Sequence, residues 1–227
     1  MISINYQGRL GNNLFQYFTA LILSNKFNQK ISNPLSNNIF LNKLIDNDIK
    51  YQENLIINDD NINDFLKKTI INSNLILDGF FQNKNILSYF NENKHFINNT
   101  KVAIKGSFVH VRLGDINNDE RCCSVQYYQK ALQGLNGGYI SSDSPNDNII
   151  KQLSDEFNLQ IFENSPEETI IFGSQFENKI LSLGTFSWWI GFLGNQNNVI
   201  CPIQKEYQEW HGDIFPFLNW KEISIKN

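Results

Sequence analysis

A chain of 227 residues, 41% hydrophobic and 13% aromatic with 18 Phe, has apolar mass for one large core or two smaller ones, which excludes a stapled miniprotein and a wholly disordered chain. A formal net charge of −4 excludes a general electrostatic attraction to nucleic acid or to an anionic membrane, so any phosphate ligand has to be held by a local constellation. With 35 Asn and 30 Ile but only 3 Arg (Arg9, Arg112, Arg121), the polar surface is built from Asn where other proteins use charge.

The chain opens Met1-Ile2-Ser3-Ile4-Asn5-Tyr6, an alternating strand pattern with no basic segment or long apolar run of a secretory signal. No apolar stretch approaches the roughly 20 residues that span a bilayer. The expected setting is therefore cytoplasmic, with no nucleic-acid partner and no transmembrane segment, and peripheral contact with a membrane is left open. After the strand, Gly8-Arg9-Leu10-Gly11 turns into a helix with Leu14, Phe15, Phe18, Leu21 and Ile22 on one face. Residues 30–69 are Asn/Asp/Ile-rich with weak periodicity and predict loops and short surface helices. Asn74-Leu75-Ile76-Leu77-Asp78 reads as a buried strand, Gly79-Phe80-Phe81-Gln82 as its exit loop, and residues 86–90 as a short helix. The Asn-rich residues 91–100 are the candidate linker.

Beyond it the pattern sharpens. Residues 107–112 read as a strand and 124–132 as a helix with Ser124 at its N-cap. Residues 139–142 then predict a strand, 146–157 a helix, 159–162 and 179–182 strands, 186–193 a helix, and 199–202 a strand that Pro202 ends. Strands alternating with helices predict parallel α/β structure in two halves, residues 1–100 and 101–227.

Four segments that leave strands carry candidate chemistry. Gly8-x-x-Gly11-Asn12-Asn13 is either a tight turn needing positive φ or a cradle of backbone N–H groups for an anion or a sugar. His110-Val111-Arg112-Leu113-Gly114-Asp115 puts His110 and Arg112 on one face of a strand end. Arg112 there suits bidentate phosphate binding, with an Arg112–Asp115 ion pair as the structural alternative and a satisfied core position as that for His110. Ser141-Ser142-Asp143-Ser144 either caps the next helix or accepts from a ribose or base. Thr185-Phe186-Ser187-Trp188-Trp189 sets Thr185 and Ser187 at a helix start that suits a second phosphate, with the tryptophans in the core. No H-x-x-H, H-E-x-x-H or D-x-D cluster is expected to hold a metal, and no metal or cofactor is expected. Cys122, Cys123 and Cys201 read as spare thiols, and the sequon Asn98-Asn99-Thr100 as chance in so Asn-rich a chain.

Read together, these segments carry a resemblance. Residues 8–17, Gly-Arg-Leu-Gly-Asn-Asn-Leu-Phe-Gln-Tyr, resemble the opening G-x-L-G-N-Q-M-F-Q-Y of the α-1,2-fucosyltransferase family, glycosyltransferase family 11. Asp78-Gly79-Phe80-Phe81-Gln82 resembles its G-Y-F-Q segment, His110 to Asp115 its H-V-R-R-G-D-Y, and Tyr127-Tyr128-Gln129-Lys130-Ala131 its Y-Y-x-x-A. Ser141 to Ser144 is similar to its F-S-D-D and residues 185–189 to its S-T-F-S-W-W, with Pro216 and Trp220 a looser closing match. The chain departs from the pattern at Leu113, Ile116, Ser144 and Gly184, and it is shorter than usual family members.

The resemblance implies a GT-B architecture of two Rossmann-like domains with parallel sheets facing a cleft, an acceptor-side first half and a GDP-fucose-binding second half. It implies inverting, metal-independent transfer of L-fucose to a hydroxyl of a galactose-like acceptor glycan in α-1,2 linkage. Arg112 would hold the diphosphate, His110, Ser142 and Asp143 would lie near the nucleoside, Thr185, Phe186 and Ser187 would complete the donor site, and Gly8, Gly11, Asn12, Gln16 and Gln82 would face the cleft. Asp115 is the first candidate base, with Asp119 and Glu120 in the same loop. The alternatives are a different acceptor, linkage or GDP-deoxyhexose donor, or an inactive relative that binds GDP or glycan.

Overall fold

In chain order the elements are β1 (Ile2–Ile4), α1 (Leu10–Phe27), β2 (Asn54–Ile57), α2 (Ile62–Lys67), β3 (Asn74–Leu77) and α3 (Lys84–Glu92). They continue with β4 (Ile104–Val111), α4 (Val125–Leu132), β5 (Gly138–Ser142), α5 (Asn148–Phe157), β6 (Leu159–Ile161), α6 (Pro166–Ser174), β7 (Phe176–Ile180), α7 (Thr185–Leu193), β8 (Asn198–Pro202) and β9 (Lys221–Ile223). The computed structural model describes residues 1–41, 45–47, 49–98, 103–116, 122–194, 198–203 and 214–224. It is an α/β protein of two compact units, one made of Met1–Asn98 with Ile214 and the other of the remaining described residues.

The first unit holds a three-stranded parallel sheet in the order β1-β3-β2. Ile2, Ile4, Leu75, Leu77 and Ile57 are buried, whereas Ile56 is exposed on β2 at the edge. The spacing of apolar residues in α1 predicts one buried face, yet every residue from Leu14 to Ser24 is buried. The helix interior has no charged side chain to keep in water, so the unit closes around it. Phe18 stacks on Phe40 at 5.0 Å and meets Phe90 edge-on at 4.6 Å. Asn28 ends α1 in the left-handed conformation, at φ 52°.

Several expectations for this unit are corrected. The weakly patterned stretch holds, beside the expected short helix (α2), a strand, β2, and the proposed linker is structured through residue 98. There α3 runs to Glu92, Ile97 pairs with Phe40, and the Asn98 side chain donates to the carbonyls of Asn38 and Phe40. In this chain Asn runs supply side-chain amides that satisfy neighbouring backbone, as Asn74 does for Tyr51. Residues 99 and 100 of the linker and sequon lie outside the described residues.

The second unit is a six-stranded, all-parallel sheet in the order β6-β5-β4-β7-β8-β9. Counted from β4, this is the doubly wound order 3-2-1-4-5-6, in which the chain reverses direction between its first and fourth strands, here β4 and β7. Right-handed crossovers in opposite directions then put α4 and α5 on one face and α7 on the other. Phe108 of β4 meets Phe172 of α6 at 6.1 Å and Phe176 at 5.6 Å, and Phe162 stacks on Phe172 at 4.2 Å.

Ser124 caps α4 as predicted, accepting from the Tyr127 N–H. The helix at residues 148–157 starts later than expected, because Asp147 and not the 141–144 cluster is its cap. Strand β7 ends at Ile180. Leu181 and Ser182, read as its continuation, form instead the buried loop into α7. Helix α6 and strand β9 are additions. For α6 a local signal exists in Ser165-Pro166-Glu167-Glu168, a capping box with Pro at the first turn.

Candidate functional site

The last residues of β4 carry His110 and Arg112 to the carboxyl end of the second sheet, at its reversal point. Open α/β sheets bind their ligands there. The neighbouring strand β7 feeds the loop Leu181 to Gly184 and then the N-terminus of α7. Gly184 is the N-cap, with φ 119°, a conformation that side-chain-bearing residues rarely adopt. A Cβ on it would lie 2.7 Å from Nη1 of Arg112, so the guanidinium packs directly against the helix start. The departure from Ser to Gly at this position of the resembled motif thus fits the backbone and the arginine at once. No side chain of the cap hydrogen-bonds the first turn of α7, and no acidic residue occupies that turn.

A guanidinium set against the positive end of a helix is unfavourable by itself and becomes favourable when an anion lies between them. Asp115 offsets part of this now. Its Oδ1 accepts from Nε and Nη2 of Arg112 at 3.2 and 3.1 Å, and its Oδ2 from Nη2 at 3.0 Å. The ion pair offered above as the structural alternative is therefore present. The pair occupies the Nε and Nη2 edge, and Nη1 faces Gly184. With both carboxylate oxygens on the guanidinium, Asp115 is placed to orient Arg112 more than to accept a substrate proton. Asp119, Glu120 and Arg121 lie outside the described residues.

His110 lies beneath this point, 7% exposed, with its ring 4.8 Å from Phe186. Its Nδ1 meets Ser187 Oγ at 2.5 Å and Ser182 Oγ at 3.1 Å, and the two hydroxyls are 2.9 Å apart. The Ser182 N–H donates to Ser187 Oγ at 3.1 Å, which ties the β7 loop to α7. Ser187 is fully buried, so together with His110 it builds the floor of the site and is not an open phosphate ligand. Burial, helped by the Arg112 charge and opposed by Asp143, lowers the His110 pKa to about 4. The imidazole is neutral at pH 7.

This gives a pH prediction. An unfolded His takes a proton near pH 6.5 and the folded one only near 4, so the unfolded state binds more protons between these values and stability falls as pH drops through that window. The loss at pH 4 is about 3 kcal/mol. The urea midpoint of wild type should fall from pH 7 to 4 more steeply than that of His110→Asn; equal slopes would show that His110 does not control it.

Asp143 stands after β5, where Ser142 pairs with Val111. Its Oδ1 accepts from the N–H groups of Leu113 and Gly114 at 2.8 and 3.1 Å. Ser142 Oγ accepts from the Ser144 N–H at 3.0 Å, closing the turn that carries Asp143. Leu113 and Ile116, two departures from the resembled motif, are buried. They anchor the exit loop apolarly, which no polar residue in their places would do.

The first unit gathers its own predicted residues at the carboxyl end of β1 and β3. Gln16 Oε1 accepts from the Gln7 N–H and Asn13 Nδ2, and its Nε2 donates to the Gly79 carbonyl at 3.0 Å. Gln82 Nε2 donates to Asn12 Oδ1 at 3.1 Å, a second amide contact beside that of Gln16. Gly8 has φ 77°, the positive value the tight-turn reading required, whereas Gly11 is an ordinary buried residue of the first turn of α1. Asp59, which no local pattern singled out, accepts from the N–H groups of Phe80 and Phe81 at 2.8 and 2.6 Å. It holds Phe81, fully buried at φ 56°, in a conformation costly for a bulky residue.

Among the described residues, no three His, Cys, Asp or Glu side chains come together to hold a metal. A D-x-D spacing does occur at Asp46-Asn47-Asp48. Asp46 is paired with Lys30 at 3.1 Å, and residue 48 lies outside the described set. The three cysteines are free thiols. No described helix is long and apolar enough to cross a membrane. No family model matches the chain, and neither does any curated protein or solved structure.

Proposed function

We propose that this chain is an inverting glycosyltransferase of the GT-B, α-1,2-fucosyltransferase type, moving L-fucose from GDP-fucose to a hydroxyl of a galactose-like acceptor glycan. The observation that carries the reading is the placement of Arg112 against the start of α7 at the reversal point of a doubly wound sheet. A nucleoside diphosphate leaving group gains negative charge as its bond to the sugar breaks. A fixed guanidinium and aligned helix N–H groups stabilise charge there without reorganising. That is the role a divalent cation plays in metal-dependent transferases, and the resemblance to a metal-independent family agrees with it.

In the reaction, the acceptor oxygen attacks the anomeric carbon from the face opposite the diphosphate, the carbon–oxygen bond to GDP breaks, and the acceptor proton passes to a base or to water. Neutral His110 and the two serines keep the floor rigid, and Asp115 holds the guanidinium in register. The engagement of Asp115 by Arg112 also supports a second reading, a relative that binds GDP or glycan without transfer.

A thermal-shift panel of GDP, GDP-fucose, GDP-mannose, UDP, CMP and NAD⁺, in EDTA and again with Mg²⁺, tests the donor site. A ligand at 100 times its Kd adds about 2.7 kcal/mol, a rise of roughly 5 to 10 °C at this size. Selective stabilisation by GDP species in EDTA is the expected result, and no GDP response, or one that needs Mg²⁺, would overturn it. GDP release from GDP-fucose with galactose-terminated acceptors then separates a transferase from a binder.

A further inference from the structure

We propose that Asp143 is a positioning residue, which fixes the β4 exit loop so that Arg112 faces the start of α7, and that its carboxylate does not touch the nucleotide. The proposal rests on the nucleotide-site reading above. Arg112 is flanked by two restraints: Val111 before it is paired with Ser142 in the sheet, and Leu113 and Gly114 after it donate both their N–H groups to one oxygen of Asp143. Leu113, buried, and the Ile116 N–H bond to the Leu113 carbonyl at 3.0 Å complete the turn. Gly114 is part of the same device, since a Cβ on it would lie 2.7 Å from Asp143 Oδ2. The first unit repeats the arrangement. Asp59, after β2, accepts from two consecutive N–H groups beyond the adjacent strand β3, and Gly79 is the residue whose Cβ would meet its Oδ2 at 2.8 Å. In both units a carboxylate leaving one strand holds the exit of its parallel neighbour, and consecutive N–H groups of this kind favour an anion.

Asp143 is exposed, so contact with a ligand is sterically open and the two roles need separating by chemistry. Asp143→Asn keeps an oxygen that accepts both N–H bonds and removes the charge, whereas Asp143→Ala removes both. GDP affinity in EDTA, by calorimetry, and hydrogen exchange over residues 107–116 are measured for wild type, both variants and Gly114→Ala, after far-UV dichroism has confirmed folding. Asp143→Asn is expected within about threefold of wild type, and Asp143→Ala and Gly114→Ala at least about tenfold weaker with faster exchange at Leu113 and Gly114. If Asp143→Ala does not fold, Gly114→Ala carries the comparison. Loss of affinity in Asp143→Asn with Leu113 and Gly114 still protected would show a carboxylate that meets the ligand and overturn the proposal, as would wild-type affinity in Asp143→Ala. A wild type that binds no GDP would overturn the functional reading itself, an outcome distinct from either of these.

Discussion

Arg112→Ala should lower kcat/KM for transfer from GDP-fucose by a factor on the order of 10²–10³ or more, the loss seen when one fixed donor to a developing anion is removed. The chain should stay folded. The pair it forms with half-exposed Asp115 contributes at most about 1 kcal/mol, and removing the guanidinium also relieves its repulsion from the start of α7. Steady-state kinetics beside a thermal melt check both halves. Arg112→Lys should fall between wild type and Ala, since an ammonium keeps the charge and loses the planar fork that Asp115 grips on one edge. Near-wild-type kcat/KM in Arg112→Ala would remove the diphosphate assignment.

The second large effect lies behind the site. Trp188, fully buried on α7, stacks on Phe192 at 4.5 Å and packs on Trp189 at 5.2 Å, Phe217 at 5.4 Å and Trp220 at 6.1 Å. Trp220 also lies against Gly191, where a Cβ would be 2.6 Å from its ring, so α7 is seated by close aromatic contact over its whole length. Trp188→Ala should cost about 3–5 kcal/mol, read as a lower urea midpoint by far-UV dichroism and a melting temperature lowered by roughly 10 to 15 °C. GDP affinity should fall with it, because the first turn of α7 loses its fixed position. Trp188→Phe, which retains the stacking face, should recover much of both. A stability loss with unchanged GDP affinity would separate the helix from the ligand.

What the sequence conveyed divides along the range of the interactions. Ser124 at its cap, strands β1 and β3, and helices α4 and α5 are written in local periodicity, and each forms within a residue or two of where that periodicity puts it; β4 forms where expected but begins three residues earlier. The capping box of α6 is equally local and was legible in Ser165 and Glu168. What local pattern does not carry is the pairing of distant polar groups. Asp143 looks like a helix cap from its neighbours, yet it bonds Leu113 and Gly114, thirty and twenty-nine residues back. Asp59 reads as one more acid in an Asn/Asp-rich stretch until β2 and β3 pair. Leu181 and Ser182 extend an apolar run in sequence, and only the Ser182 N–H bond to Ser187 shows why that run is a buried loop. Arg112 was conspicuous because arginine is scarce; its relation to Gly184 depends on the sheet order, which brings β7 beside β4.

That sheet order has a kinetic consequence. Each pairing in the second unit is parallel, so each strand meets its neighbour only after a long segment has closed, and such topologies fold slowly. Arg112 and Asp115 are three residues apart and can find each other in a nearly unstructured chain, whereas His110 and Ser187 are separated by 77 residues and meet only when β4 and β7 have docked. The guanidinium is thus prepared early and its helical counterpart arrives with the central strands. A nascent or partly unfolded chain therefore offers an arginine with no helix end to face, and the proposed anion site comes together in the step that docks β4 with β7.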